Sequence, residues 1–365
     1  MDDRIKKLSN TIVNYSIKVK ENDKVLITYE TSNCNPLVKQ LIKDIISAGG
    51  IPSVKNIDEE ISSLIMENAN SKIIDNMVCE KRFDVDNFDC FIRIRYTLNE
   101  YESKNIPQNV YKELGEKTTE IDDIRINQRR WVLLNYPSII DAYKAKMTTN
   151  EFYDYAMDVM TVDYKSMNDK IRPLKELMEK TDKVHIVGPN TDLHFSIKGI
   201  PAIPCCGESN IPDGELFTAP VKESVNGYIT YNTPSPYQGN IYNNIHLEFE
   251  NGKITNCSCS EDNEELKKIF ETDEGAKYVG EFSLGFNPKI TTPMGDILYD
   301  EKIMGSLHFT PGRCYEDAPN GNVSAVHWDL VLIQTKEYGG GEIYFDDVLI
   351  RKDGIFVLPE LEQLN

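Results

Sequence analysis

The sequence predicts an α/β protein: an N-terminal α/β sheet domain over residues 1–180, followed by a mainly antiparallel β (α+β) domain over 181–365. Three observations carry that prediction. In the first half, short apolar runs alternate with longer amphipathic ones, the pattern of strands joined by helices in a parallel or mixed sheet. From Lys183 the apolar runs are short and separated by turn signals. Asn251-Gly252 and Asp353-Gly354 each lie between two strand-like runs, which predicts two type I′ hairpins.

Ile5, Leu8, Ile12, Val13 and Ile17 recur at helical spacing and predict a first helix within 1–20. The run VLITYE, after Asp23-Lys24, is the first strand. Pro36 opens a helix that Gly49-Gly50 ends. Ile51–Ile57 is the second strand, and Asp58-Glu59-Glu60 opens one long helix to about Cys79. Phe88–Ile94 and Trp131–Leu134 are the third and fourth strands, with a charged helix between them. Residues 137–181 are mostly helical, interrupted by Pro173, and connect to the second half. There the strands are Lys183–Val187, Leu193–Ile197, Ile245–Phe249, Lys253–Cys257, Val348–Arg351 and Ile355–Leu358, with one helix over Glu261–Glu274.

Composition removes several function classes. Forty basic against 59 acidic residues leave a formal charge of −19, which opposes nucleic acid and an anionic membrane surface. No apolar run reaches the length of a membrane span, and MDDRIKKLSNTIVNYSIKV lacks the apolar centre of a signal peptide. A cytoplasmic protein is expected. The eight cysteines include no C-x-x-C pair and read as thiols in a reducing compartment. Neither G-x-G-x-x-G nor G-x-x-x-x-G-K-[ST] occurs, so a nucleotide site is unsupported.

The chemistry concentrates in Leu307–Asp329, LHFTPGRCYEDAPNGNVSAVHWD. It holds His308, Tyr315, His327 and Asp329. On a strand, His327 and Asp329 project from one face. Two imidazoles and a carboxylate suit zinc, cobalt or iron. Taken alone, the same residues are equally well read as packed, hydrogen-bonded histidines. Glu215 follows a Pro-Asp-Gly turn at the head of a strand, where a carboxylate can ligate or can simply be exposed. Glu281 stands in the apolar run VGEFSLG and needs a partner or a metal unless it faces solvent. Together the six donors exceed one ion's needs. They fit two ions ~3.5–4 Å apart that share a carboxylate and a water, an arrangement suited to hydrolysis.

Four stretches, IPDGELFTAPVKESVNG, VGEFSLG, LYDEKIMGSLHF and SAVHWD, resemble the metallo-aminopeptidase family that includes aminopeptidase T and aminopeptidase S. The resemblance is sharpest from Asn210 to Val331 and touches TDLHFSIKG at 191–199. It implies that Glu215, Glu281, His308, Tyr315, His327 and Asp329 hold two divalent ions per chain (zinc, cobalt, manganese or magnesium). It also implies that Glu215 and Glu281 are the catalytic carboxylates, that the substrate is a peptide with a free N-terminus, and that the protein is a homodimer.

Some residues depart from the family pattern or stay open. FTPGRC precedes Tyr315 where smaller residues are expected, and Arg313 is expected to pair with Glu316 or Asp317. His194 is expected to be structural. Lys302 either supports the site or pairs with Glu301 or Asp300. The alternative reading from another class is a mononuclear non-haem iron ring-cleaving dioxygenase, for which His308, His327 and Asp329 would suffice. Glu215, Glu281 and Tyr315 are superfluous there, which favours the peptidase.

Overall fold

Parallel pairing organises the first half of the chain. The computed structural model describes residues 2–365, which form two units: Met1–Val162 with Gly207–Pro212, and Asp163–Cys206 with Asp213–Asn365. The sheet of the first unit has the order Ile51–Asn56, Lys24–Tyr29, Cys90–Arg95, Arg130–Asn135, Asn210–Ile211, every pair parallel. Parallel neighbours need long crossovers. The helices Asn35–Ser47, Glu59–Glu67, Ser71–Asn87 and Gln108–Gln128 supply those between the first four strands.

Side-chain caps set many helix starts. Asp2 and Asp58 accept from the first-turn amides of their helices, while Ser138 with Asp141 and Thr148 with Glu151 form capping boxes. The one long helix expected from Asp58 is two helices. Asn70 accepts from the amides of Lys72 and Ile73 and so starts Ser71–Asn87 anew. Asparagine competes for backbone donors in this way, which makes it a better cap than helix interior.

Helix Tyr164–Lys180 groups with the second unit. It runs through Pro173, where an interruption was expected. Tyr164, Met167, Ile171, Leu174 and Met178 bury one continuous stripe, and that packing holds the helix across the missing donor. The helix expected over Glu261–Glu274 is shorter, Asn263–Phe270, and a 3-10 turn at Gly275–Lys277 follows it.

The remainder of the second unit is antiparallel: one eight-stranded sheet, one five-stranded sheet and a separate hairpin. Both expected hairpins form with left-handed central residues, Asn251 (φ 50°) with Gly252 (85°) and Asp353 (50°) with Gly354 (81°). A third hairpin, Ser235–Tyr237 with Asn240–Tyr242, turns at Gln238-Gly239 and was not anticipated, because Gln-Gly is a weak turn signal.

The two large sheets meet through aromatic side chains. The Phe195 ring, on the eight-stranded sheet, lies 5.0 Å from Phe282 and 4.9 Å from Phe309 on the five-stranded one. Tyr231 donates its hydroxyl to the Phe309 carbonyl across the same layer. Phe282 pairs with Phe309 and Leu284 with Leu307, so these four apolar side chains share one sheet face. Strand alternation sends their neighbours to the opposite face, where the candidate chemistry lies.

Candidate metal centre

The five-stranded sheet has the order Val331–Ile333, Ser306–Pro311, Val279–Gly285, Glu215–Thr218, Ile203–Cys205. Its register gathers the donors. Ser283 is opposite both His308 and Phe217, Gly285 is opposite Glu215, and Glu281 is opposite Thr310. Val331 is opposite His308, and His327 bridges to Gly312, so the chain between them brings Asp329 and His327 to the same side. Glu215, Glu281 and His308 are buried.

A β-bulge aims Glu281. Val279 pairs with Pro311 and Glu281 with Thr310, so Gly280 is the extra residue. Only glycine fits there, because a Cβ on Gly280 would lie 2.3 Å from the Arg313 carbonyl oxygen.

Five donors fall into two overlapping triads. Glu215, Glu281 and His308 offer ligand atoms within 4.8 Å of one another, and so do Glu281, His327 and Asp329. Glu281 belongs to both. Its Oε1 lies 3.0 Å from His308 Nε2, and its Oε2 lies 3.3 Å from His327 Nε2. His327 Nε2 is also 3.3 Å from Asp329 Oδ1, and His308 Nδ1 is 3.5 Å from Glu215 Oε2. Tyr315 stands beside these triads, its ring centroid 4.8 Å from that of His327 and 5.5 Å from that of Phe217. It is 43% exposed, at the rim.

Buried polar atoms ordinarily find hydrogen-bond partners. His308 Nδ1 and His327 Nε2 are buried and have none, although both face carboxylate oxygens. Two such nitrogens among three carboxylates match the donor chemistry of a divalent cation, so these residues fit a metal. The family described as thermophilic metalloprotease (M29) matches residues 1–354. This chain belongs to the thermophilic metalloprotease (M29) family.

The solved structure of wild-type AmpT from Thermus thermophilus has the same fold as this M29 chain, with a TM-score of 0.78 over 98% of this chain and 99% of that one at 18% identity. Matches to curated relatives are shorter. Aminopeptidase 2 of Geobacillus stearothermophilus is 39% identical over 163 residues, 40% of this chain and 37% of that protein. Aminopeptidase T of Thermus aquaticus is 30% identical over 196 residues, 46% and 45% of the two chains. Aminopeptidase AmpS of Bacillus subtilis (strain 168) is 42% identical over 76 residues, 21% and 18%. The matched part thus spans less than half of each of these relatives. None of them supports the iron dioxygenase alternative.

The M29 chain surrounds the triads with residues that the sequence reading passed over. Ser283 donates its hydroxyl to Glu215 Oε2 at 2.9 Å, and Thr310 donates to Asp329 Oδ1 at 2.8 Å. Each lies two residues along a strand from a candidate ligand, so alternation alone was the signal that could have found them. Cys205, read as a structural thiol, is opposite Glu215 in the sheet, and Cys205, Asp213 and Glu215 offer ligand atoms within 4.8 Å of one another.

Lys302 meets both of its expected descriptions. It is fully buried and paired with Glu301, and its Nζ stands 3.4 Å from Glu215 Oε1. Asp300 instead accepts from the backbone amides of Met294 and Gly295. Arg313 departs from expectation: its side chain is exposed and makes no ion pair among the described residues. Its backbone carbonyl is what matters, accepting from His327 Nδ1 at 2.8 Å.

The electrostatics follow from burial and crowding. Burial opposes a charged imidazole at both histidines, but the carboxylates outweigh it. Glu215 and Glu281 hold His308 up to about 10, and Asp329 and Glu281 hold His327 up to about 11. In return the histidines keep Glu281 and Asp329 below the usual carboxylate range against the effect of burial. Burial pushes Glu301 up to about 8, which Lys302 offsets only in part. The protein packed around the Tyr315 hydroxyl, and then the carboxylates of Glu281 and Asp329, raise its phenol above the ordinary value.

Proposed function

We propose that this chain is a metal-dependent aminopeptidase that removes the first residue of peptides with a free N-terminus. The observation that carries this reading is the pair of donor triads sharing Glu281, with an unpartnered imidazole nitrogen in each. In it, Glu215, Glu281, His308, Tyr315, His327 and Asp329 hold two divalent ions: zinc, cobalt, manganese or magnesium. When bound, such ions polarise a peptide carbonyl and lower the pKa of water.

The chain's own residues prepare the site. Ser283 and Lys302 approach the two oxygens of Glu215 from different sides and fix its head group. Thr310 does the same for one oxygen of Asp329. The Arg313 carbonyl accepts a hydrogen bond from Nδ1–H of His327 and so reserves Nε2 for an ion. Peptide cleavage needs a proton delivered to the leaving amine, and Glu215 and Glu281 are the carboxylates at hand. Buried Lys302 balances part of the negative charge around Glu215. Exclusion of bulk water strengthens each of these interactions.

Membership in a metalloprotease family and similarity to relatives that are aminopeptidases support the reading. Assembly as a homodimer and a cytoplasmic location belong to the same proposal. Among the described residues no helix is long and apolar enough to cross a membrane.

The test is cleavage, with added Co²⁺ or Zn²⁺, of paired peptides that differ only in N-acetylation. Release of the first residue from the unblocked peptide alone is expected, and equal cleavage of both overturns the reading. Metal analysis is expected to find about two ions per chain at the buried centre, whereas a single iron there would favour the dioxygenase.

A further inference from the structure

On the outer face of the eight-stranded sheet lies a second group of donors that the buried centre does not use. His185 on strand Lys183–Gly188 is directly opposite His194 on strand Thr191–Ser196. Asp192 shares the face of His194, two residues away. The two imidazole rings stack with centroids 3.8 Å apart at 16°. Both Nε2 atoms converge on one oxygen, Asp192 Oδ1, at 2.8 and 3.2 Å. We propose that His185, Asp192 and His194 form a surface site for a borderline divalent cation such as Zn²⁺, Ni²⁺ or Cu²⁺, separate from the buried centre.

Three features support a built site. First, two imidazole nitrogens and a carboxylate oxygen within 4.8 Å of one another form a compact N₂O set on one side of a cation. Second, the donors are held rigidly. Their strands are hydrogen-bonded to partners on both sides within the sheet. The inward residues Val184, Ile186, Leu193 and Phe195 are buried and lock the register. A site on paired strands loses little freedom when it binds. Third, the side chains are 33%, 51% and 58% exposed for His185, Asp192 and His194, which leaves coordination positions open to water or a further ligand. The chain's net charge of −19 favours a cation.

The bland description is a hydrogen-bonded His-Asp-His patch with no affinity for metal. The untagged chain on immobilised Ni²⁺ separates the two, because the resin reads surface histidines, His308 is buried and the His327 side chain is only 18% exposed. Retention is expected for the parent chain, for Glu215→Gln, which alters the buried centre, and for His246→Ala, which removes the other histidine of this face. His185→Ala and His194→Ala are each expected to abolish it, and Asp192→Asn to lower the imidazole needed for elution. In solution, equilibrium dialysis against Zn²⁺ is expected to leave His194→Ala one ion per chain short of the parent. Retention unchanged in His185→Ala and His194→Ala, retention that depends on His246, or equal zinc content overturns the proposal. None of these readouts depends on peptidase activity, so the aminopeptidase reading stands or falls separately.

Discussion

His327 donates Nδ1–H to the Arg313 carbonyl oxygen 2.8 Å away, which turns its unpartnered Nε2 toward Glu281 and Asp329, 3.3 Å from each. The carbonyl can sit there because two glycines make room. A Cβ on Gly280 would meet that oxygen at 2.3 Å, and a Cβ on Gly312, whose φ is 109°, would meet the Val326 carbonyl oxygen at 2.0 Å. Gly280→Ala must therefore push the carbonyl away from His327. It is expected to cost about 1–3 kcal/mol of stability and to weaken metal binding about 10–100-fold. Thermal unfolding and zinc content at fixed free Zn²⁺ measure the two effects. Undiminished zinc affinity would show that the Arg313 carbonyl does not orient His327.

Proton linkage makes a signed prediction for the metal-free protein. Folding raises His308 from 6.5 to about 10 and His327 from 6.5 to about 11. Their contribution to stability is fully present below about 6.5 and is lost as pH rises through 10 and 11. Glu281 and Asp329 are depressed from 4.5 and 3.8, so theirs is present above those values and is lost as pH falls through the folded ones. In chelator the melting temperature is expected to decline on the alkaline side, and His308→Ala to flatten that limb. Metal must displace these imidazole protons. Titration calorimetry at pH 7 in buffers of different ionisation enthalpy is expected to show the release of about two protons per chain on loading. No release would mean that the histidines are neutral before the metal arrives.

Lys302 is a buried cation between two carboxylates. Removing one member of such a set strands the others without a partner, at about 3–5 kcal/mol. Measured at about pH 9, above the value of about 8 near which Glu301 loses its proton, Lys302→Met is expected to destabilise by that amount, and adding Glu301→Gln to recover a substantial part. Denaturant unfolding of the two single variants and the double variant gives the coupling. Additive effects would mean that Lys302 and Glu301 stabilise the fold independently.

Glu215 and Ser283 separate loss of chemistry from loss of orientation. Glu215→Gln is expected to preserve the fold and lower turnover by at least about 100-fold. Ser283→Ala removes only the 2.9 Å hydrogen bond that fixes Glu215 Oε2. It is expected to cost about 1 kcal/mol of stability and about 10–100-fold in metal affinity or activity. Turnover of Glu215→Gln equal to the parent's would remove that residue from the site.

What the sequence could reveal of this arrangement depended on distance along the chain. Alternation of apolar runs is local, so the parallel sheet, the antiparallel second half and the hairpins at Asn251-Gly252 and Asp353-Gly354 were legible. The break at Asn70 was missed, because the helical pattern continues on both sides of it and only the amides of Lys72 and Ile73 mark the asparagine as a cap. Pro173 misled for the opposite reason: its missing donor is local, whereas the stripe from Tyr164 to Met178 that compensates lies in tertiary packing. At the site the candidate ligands were visible as residue types. That Glu281 belongs to both triads required the register of three strands, with a bulge at Gly280. The role of the Arg313 carbonyl was illegible, because every residue carries a carbonyl and only the fold selects which one meets His327.

Trp328 lies between His327 and Asp329 in sequence, and it packs away from them against a surface of aromatic rings. Its ring centroid is 4.7 Å from Tyr237, 5.4 Å from Tyr242 and 6.1 Å from Phe270. Tyr237 and Tyr242 belong to the hairpin turned at Gln238-Gly239, so that hairpin anchors the backbone carrying two candidate ligands. Trp328→Ala is expected to cost about 3–5 kcal/mol and to lower metal affinity. Trp328→Phe is expected to restore most of both, since the contacts are aromatic packing and Nε1 has no hydrogen-bond partner to lose. Melting temperature and zinc affinity, measured together on Tyr237→Ala, distinguish anchoring from bulk packing. Tyr237→Ala leaves Trp328 in place, so a fall in affinity at near-parent stability would show that the hairpin holds the ligands. A fall in stability with unchanged affinity would confine Trp328 to the core.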